Sequence, residues 1–228
     1  MGLAKSGTTA ISALLAQRTG NTVLLDTPHF WFPNNIRLFN KQVQLKQHLI
    51  KHSEILNYKI LKEPNFTLLF DQFQQLFPSS KFVFIVRNPW DNIRSILNRV
   101  NIEGNLLHLN DKETIPPGWK SVFNDSFSDK EHYIDKLAEY WVINTDIYVE
   151  NKESFILVKY EDFVNNKLNY IDELVKKLEL KNPRLPLDVN TQYQPKGESY
   201  IDINQFFETN IQKIDRICLP NYHAIFKV

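Results

Sequence analysis

Apolar positions along the chain follow two rhythms. Short apolar runs at residues 22–25, 58–61, 81–86 and 155–158 alternate with longer stretches in which apolar residues recur every three or four positions. The run 81–86 is the clearest, apolar on both faces as a central parallel strand requires. Helical spacing is expected at residues 7–18, ending near Gly20, then in a polar stretch reaching about Glu54, and at 67–76, stopped before Pro78. Further helices are expected from Pro89 through Ile93, Ile96 and Leu97, and at 131–151, 168–180 and 203–217. The alternation predicts an α/β fold of three layers, a mostly parallel central sheet flanked by helices. Residues 101–130, with Pro116-Pro117-Gly118 and little periodicity, read as an insertion serving as a lid or specificity loop.

The first nine residues sharpen that picture. Gly2 and Gly7 keep the glycine spacing of the phosphate-binding loop G-x-x-x-x-G-K-[ST], and Thr9 keeps its hydroxyl. Thr8 stands where the lysine belongs, and a lysine occurs earlier, at Lys5. Because a helix follows at once, the loop amides and the helix N-terminus converge on one anionic group. Such a loop normally follows a buried strand. Only Met1 precedes Gly2 here, so the first strand is expected to be missing or its place taken by another element.

In open α/β sheets, ligands gather at the carboxyl ends of the strands. The polar clusters fall there: Asp26 and His29, Lys62 and Glu63, Arg87, then Tyr160, Glu161 and Asp162. Lys5, inside the loop, can neutralise charge developing on a departing phosphate. Arg87 offers a planar fork for a second phosphate, and Ser95 on the next helix can add a hydroxyl. His29 is a candidate general base because its unperturbed pKa lies near neutrality, with Asp26 and Glu63 as competitors. Glu161 and Asp162 are expected to cap the following helix. Trp31 and Trp119 fall in loops where an aromatic can line an acceptor pocket.

Composition narrows the classes. At 228 residues, 43 % hydrophobic and 13 % aromatic, the chain suits one folded domain spanning residues 1–228. A net charge of +1 does not suggest a nucleic-acid or membrane-surface partner. The single cysteine, Cys218, excludes an internal disulfide and any multi-cysteine metal site. Without a visible signal peptide or an apolar run long enough to span a bilayer, the chain is expected in the cytoplasm.

Taken together the motifs resemble the sulfotransferases that use 3′-phosphoadenosine 5′-phosphosulfate. Their 5′-phosphosulfate loop reads P-[KR]-S-G-T-T before a helix, and Ala4-Lys5-Ser6-Gly7-Thr8-Thr9 matches all but the proline. Their 3′-phosphate motif is a buried strand, R-[DN]-P and a serine eight residues after the arginine, as in Arg87-Asn88-Pro89 with Ser95. Lys62-Glu63-Pro64, Phe77-Pro78 and Val158-Lys159-Tyr160-Glu161-Asp162-Phe163 resemble further segments of that family, in the same order. The resemblance implies that Lys5, Ser6, Gly7, Thr8 and Thr9 hold the 5′-phosphosulfate and that Arg87 and Ser95 hold the 3′-phosphate. It implies that Tyr160 contacts the adenine and that Lys62 lies near the transferring sulfuryl group. His29-Phe30 resembles a segment of heparan-type sulfotransferases in which a nearby glutamate is the base. That position is Thr27 here, so the base stays open between His29 and Asp26. Lys196-Gly197 resembles a C-terminal 3′-phosphate loop of cytosolic members.

The implied activity moves a sulfuryl group to a hydroxyl or amine of an acceptor, a carbohydrate or small molecule, with no metal required. The alternatives are a P-loop nucleotide kinase or NTPase and a catalytically inactive binding protein of the same fold. The first wants a lysine after Gly7 and a metal-binding aspartate at a strand end, a role open to Asp26.

Overall fold

The structure is a computed structural model that describes residues 1–109, 115–181, 183, 185–193 and 201–226. In chain order its elements are α1 (Thr8–Thr19), β1 (Val23–Leu25), α2 (Asn34–Phe39), α3 (Leu45–Lys51) and β2 (Ile60–Lys62). Then come α4 (Phe70–Leu76), β3 (Phe82–Val86), α5 (Pro89–Val100), α6 (Tyr133–Glu150), β4 (Phe155–Lys159) and α7 (Tyr160–Asn165). Helices α8 (Lys167–Lys177), α9 (Ile203–Phe207) and α10 (Ile211–Phe226) complete the chain.

Strand β3 shows why the protein is layered. Successive side chains of a strand point to opposite faces. Phe82, Phe84 and Val86 join one apolar cluster with α5, α6 and α10, while Val83 and Ile85 join another with α1 and α8. Strand β4 pairs with β3 in parallel, from Phe82↔Phe155 to Val86↔Lys159, and splits its residues in the same way. Each face is thus covered by helices, the condition under which parallel strands read as unbroken apolar runs. A third cluster gathers Phe30, Leu38, Leu45, Leu49, Phe66 and Phe73 beside β1 and β2. Each such phenylalanine contributes about 1.5–3 kcal/mol through burial.

The α/β architecture and the parallel pairing agree with expectation, but among the described residues the strands form two pairs. Strands β1 and β2 run parallel, Val23↔Ile60 to Leu25↔Lys62, separately from β3 and β4. A cavity of about 540 Å³, bordered by Met1, Ile60, Leu61, Phe82, Val83 and Ile85, lies between the pairs. At the place of the strand that normally precedes such a loop, one parallel bridge joins Gly2 to Ile85, with Leu3 N–H donating to the Ile85 carbonyl at 3.2 Å. On the other side Gly2 N–H donates to Thr67 Oγ1 at 2.8 Å. Gly2 has φ +125°, and a Cβ there would lie 2.2 Å from the Ile85 carbonyl oxygen, so only glycine permits this approach.

The polar stretch before Glu54 is α2, α3 and a 3-10 turn, Ser53–Asn57. The helix expected at 203–217 is divided: Glu208, at φ 49°, ends α9, and a 3-10 turn (Glu208–Asn210) leads into α10. Residues 115–130 pack against the core through Ile115, Val122, Phe123 and Phe127.

Candidate active site

The loop before α1 is held from beneath by buried polar groups. Asn92, fully buried on α5, donates from Nδ2 to the Ala4 carbonyl at 2.7 Å and to Ser6 Oγ at 3.0 Å. Lys5 has φ 64° and Gly7 has φ 80°, so the chain turns twice through the left-handed region. At Gly7 a Cβ would lie 2.5 Å from the Tyr160 ring; the missing side chain lets that ring approach the loop. No acidic residue occupies the first turn of α1, so its amides present unopposed partial positive charge.

A second corner faces the loop. Arg87 follows β3, and its carbonyl accepts from the indole of fully buried Trp141 at 3.1 Å. Asn88 donates to Glu161 Oε1 from its backbone N–H at 2.9 Å and from Nδ2 at 2.8 Å. The Arg87 guanidinium stands 4.9 Å from the centroid of the Tyr160 ring. Its Nη2 lies 3.7 Å from Asp91, which also holds Arg94, and Arg94 donates to the Ile201 carbonyl at 3.1 Å.

These two corners share one cavity of about 420 Å³. Lys5, Gly7, Thr8, Thr9, Arg87, Ser95 and Tyr160 line it, with Arg94, Gln192 and Tyr193 alongside. Ser6 is wholly buried under the loop. Burial, followed by the positive charges of Arg99, Arg87 and Lys62, holds the Lys5 pKa below the ordinary lysine value. A site with so much positive potential favours an anion with more than one charged group.

The remaining candidates form a neighbouring polar group. Lys62 is buried and hydrogen-bonded to Asp26, which stands at φ 61° just after β1 and is partly exposed. Buried Glu63 accepts four bonds: Oε2 from Thr27 N–H and Trp31 Nε1, Oε1 from Asn65 N–H and Nδ2. Burial raises its pKa, opposed by the Thr27 and Asn65 bonds. The half-exposed Trp31 also faces Gly118, where a Cβ would meet its ring at 3.9 Å. The loop after β1 and the turn Pro117–Phe123 therefore meet. Trp119 packs against the main core. His29 turns to another group: its ring stacks on His52, with centroids 3.8 Å apart, and its Nε2 lies 3.5 Å from Glu54.

Among the described residues, no helix is long and apolar enough to cross a membrane. A family model described as a sulfotransferase domain matches residues 1–196. The chain belongs to the sulfotransferase family. The structure also resembles that of a sulfotransferase from Alicyclobacillus acidocaldarius, with a TM-score of 0.53 over 96 % of this chain and 94 % of that one. At 13 % identity that likeness speaks for the shared fold. No curated protein matches the chain.

Several residues around this cavity escaped the sequence. Asn92 had one signal, a polar residue on a helix face otherwise occupied by Ile93, Ile96 and Leu97. Glu161, expected as a helix cap, lies in the first turn of α7 and anchors Asn88 instead. Arg94 stood between two recognised residues without a motif of its own. Lys196 and Gly197 lie outside the described residues.

Proposed function

We propose that this protein transfers the sulfuryl group of 3′-phosphoadenosine 5′-phosphosulfate to a hydroxyl or amine of an acceptor by in-line displacement. One observation supports it above the others: a glycine-turned loop opening a helix and an arginine–serine corner line the same cavity, joined by Tyr160. A donor with a phosphosulfate at one end and a 3′-phosphate at the other matches two such corners. Lys5, Gly7, Thr8 and Thr9 would hold the first end, Arg87 and Ser95 the second, and Tyr160 the adenine, with buried Ser6 bracing the loop through Asn92.

The donor supplies an activated sulfur–oxygen bond, and the chain supplies position and charge. Lys5 stabilises the oxygen that leaves with the nucleotide, in a site where burial strengthens each electrostatic contact. Lys62 takes its place beside the sulfuryl oxygens. As the acceptor oxygen or nitrogen bonds to sulfur, the bond to the bridging phosphate oxygen breaks and a base removes the acceptor proton. Of the three candidates Asp26 fits best. Glu63 is committed to four hydrogen bonds, and the His29 ring is engaged by His52 and Glu54. Asp26 is partly exposed and tied through Oδ1 to Lys62.

The kinase alternative needs an aspartate available to a magnesium ion. It also needs a lysine after Gly7, where this chain has Thr8, and that disfavours it. Incubation with the phosphosulfate donor and a panel of sugar, phenol and amine acceptors, read by mass spectrometry, tests the activity. Sulfated product with wild-type protein supports it; no product across the panel, with donor bound, supports an inactive binding protein.

A further inference from the structure

A cluster of imidazoles lies outside the donor cavity. His29 belongs to the 3-10 turn Pro28–Phe30, His52 caps the C-terminus of α3, and Glu54 follows in the turn Ser53–Asn57. Glu54 Oε1 lies 3.5 Å from His29 Nε2 and 3.8 Å from His52 Nδ1, and the three candidate donor atoms all fall within 4.8 Å of one another. None of the three lines the 420 Å³ cavity.

We propose that His29, His52 and Glu54 form a binding site for a divalent transition-metal cation, with zinc as the best-fitting ion. Two imidazole nitrogens and one carboxylate oxygen are borderline donors of the kind zinc takes, with water completing four-coordination. Bonds of about 2.0–2.2 Å put tetrahedral donor atoms roughly 3.3 Å apart. Two of the three separations are already near that value. The remaining change is an opening of the stacked rings, whose planes differ by 18°, so that both lone pairs aim at one point. The His29 side chain is 43 % exposed and Glu54 61 %, so His29 can turn away from the more enclosed His52, at 18 %, and a cation can enter from solvent.

The surroundings suit such a site. His48 precedes His52 by one helical turn on α3, is buried, and bonds through Nε2 to the His29 carbonyl at 3.0 Å. It fixes the backbone that carries His29, a supporting role often seen around metal ligands. Its ring also meets Phe30 edge-on at 4.9 Å, so the His29 turn is anchored in the third apolar cluster. A bound cation would tie the segment between Asp26 and Trp31 to α3 and so stiffen the acceptor-side loop. Its role is to clamp the loop, and it takes no part in sulfuryl transfer. The overlooked sequence signal was the i, i+4 pair His48 and His52, followed by Glu54.

The test is equilibrium dialysis of the full, tag-free chain against zinc chloride alone, with cobalt(II) absorption as a second readout. The expected result is one zinc per chain. His52→Ala and Glu54→Gln should each weaken it at least about tenfold, since even outer-shell changes cost that much. Four-coordinate cobalt bands should appear in wild-type protein and vanish in His29→Ala. Equal metal-free melting temperatures for wild type and Glu54→Gln would separate ligand loss from misfolding. Absence of stoichiometric zinc, or binding left unchanged by all three substitutions, would overturn the proposal.

Discussion

The proposed donor side and the proposed acceptor side of this sulfotransferase are built differently. The donor corners, Gly2–Thr9 and Arg87–Ser95, are set by backbone turns and buried anchors: Thr67, Asn92, Trp141 and Glu161 each bind main-chain or loop atoms. The proposed acceptor side, Asp26–Trp31 with the turn Pro117–Phe123, is anchored at Thr27 by Glu63 and at His29 by His48, but its edge, where Trp31 meets Glu63 and Gly118, depends on groups meeting across the fold. A donor of fixed chemistry rewards a rigid frame, whereas acceptor choice is left to loops, where binding specificity commonly resides. Substitutions on the two sides should therefore separate by donor affinity: those on the donor side change nucleotide binding, alone or with turnover, and those on the acceptor side leave it intact.

The largest effect should come from Asp26→Asn. Loss of a general base lowers kcat by about a hundred- to ten-thousandfold. Calorimetry should find the affinity for adenosine 3′,5′-bisphosphate unchanged. An equal fall in that affinity would place Asp26 in the donor frame and break the contrast.

Lys5→Ala should lower kcat about a hundred- to a thousandfold, the cost of removing one preorganised charge stabiliser. Its pH dependence follows from burial. Because the Lys5 pKa is depressed, mainly by burial and then by Arg99, Arg87 and Lys62, its charge is complete only below that lowered pKa. Affinity for the anionic nucleotide should fall as pH rises through it, beginning below the ordinary lysine value of about 10.4. Nucleotide titrations at successive pH values measure this, and Lys5→Arg should remove the dependence.

Arg87→Ala should weaken nucleotide binding by about 1.5–3 kcal/mol, the range for a hydrogen bond to a charged group. Calorimetry reads it directly; an unchanged dissociation constant would dismiss the arginine–serine corner. Trp31→Ala should give the smallest effect, a rise in acceptor KM worth about 1 kcal/mol or less with nucleotide affinity intact. Steady-state kinetics with the first acceptor identified would decide it.

The same contrast explains what the sequence disclosed. The loop before α1 was legible because Gly2 and Gly7, both at positive φ, keep a phosphate loop's spacing, and β3 because a strand covered on both faces must be apolar throughout. Lys5, Gly7, Arg87, Ser95 and Tyr160 were therefore visible as candidates before their shared cavity was. Asn92 and Glu161 were not, since a buried anchor has meaning only once its partner is in place. The three candidate bases could not be ranked from spacing. What distinguishes Glu63 is four hydrogen bonds from residues brought together by folding, and what distinguishes His29 is contact with α3 and the turn after it. The division of the strands into two pairs was equally hidden, because an apolar run does not name its neighbour.

On the proposed reading, the Lys5 loop and the Arg87 corner together receive a nucleotide bearing both a 5′- and a 3′-phosphate. Competitive calorimetry of adenosine 3′,5′-bisphosphate against magnesium ATP on the wild-type chain tests it most directly. We predict that the bisphosphate binds more tightly, with loss of that preference in Arg87→Ala. Tighter binding of magnesium ATP by the wild-type protein would contradict it.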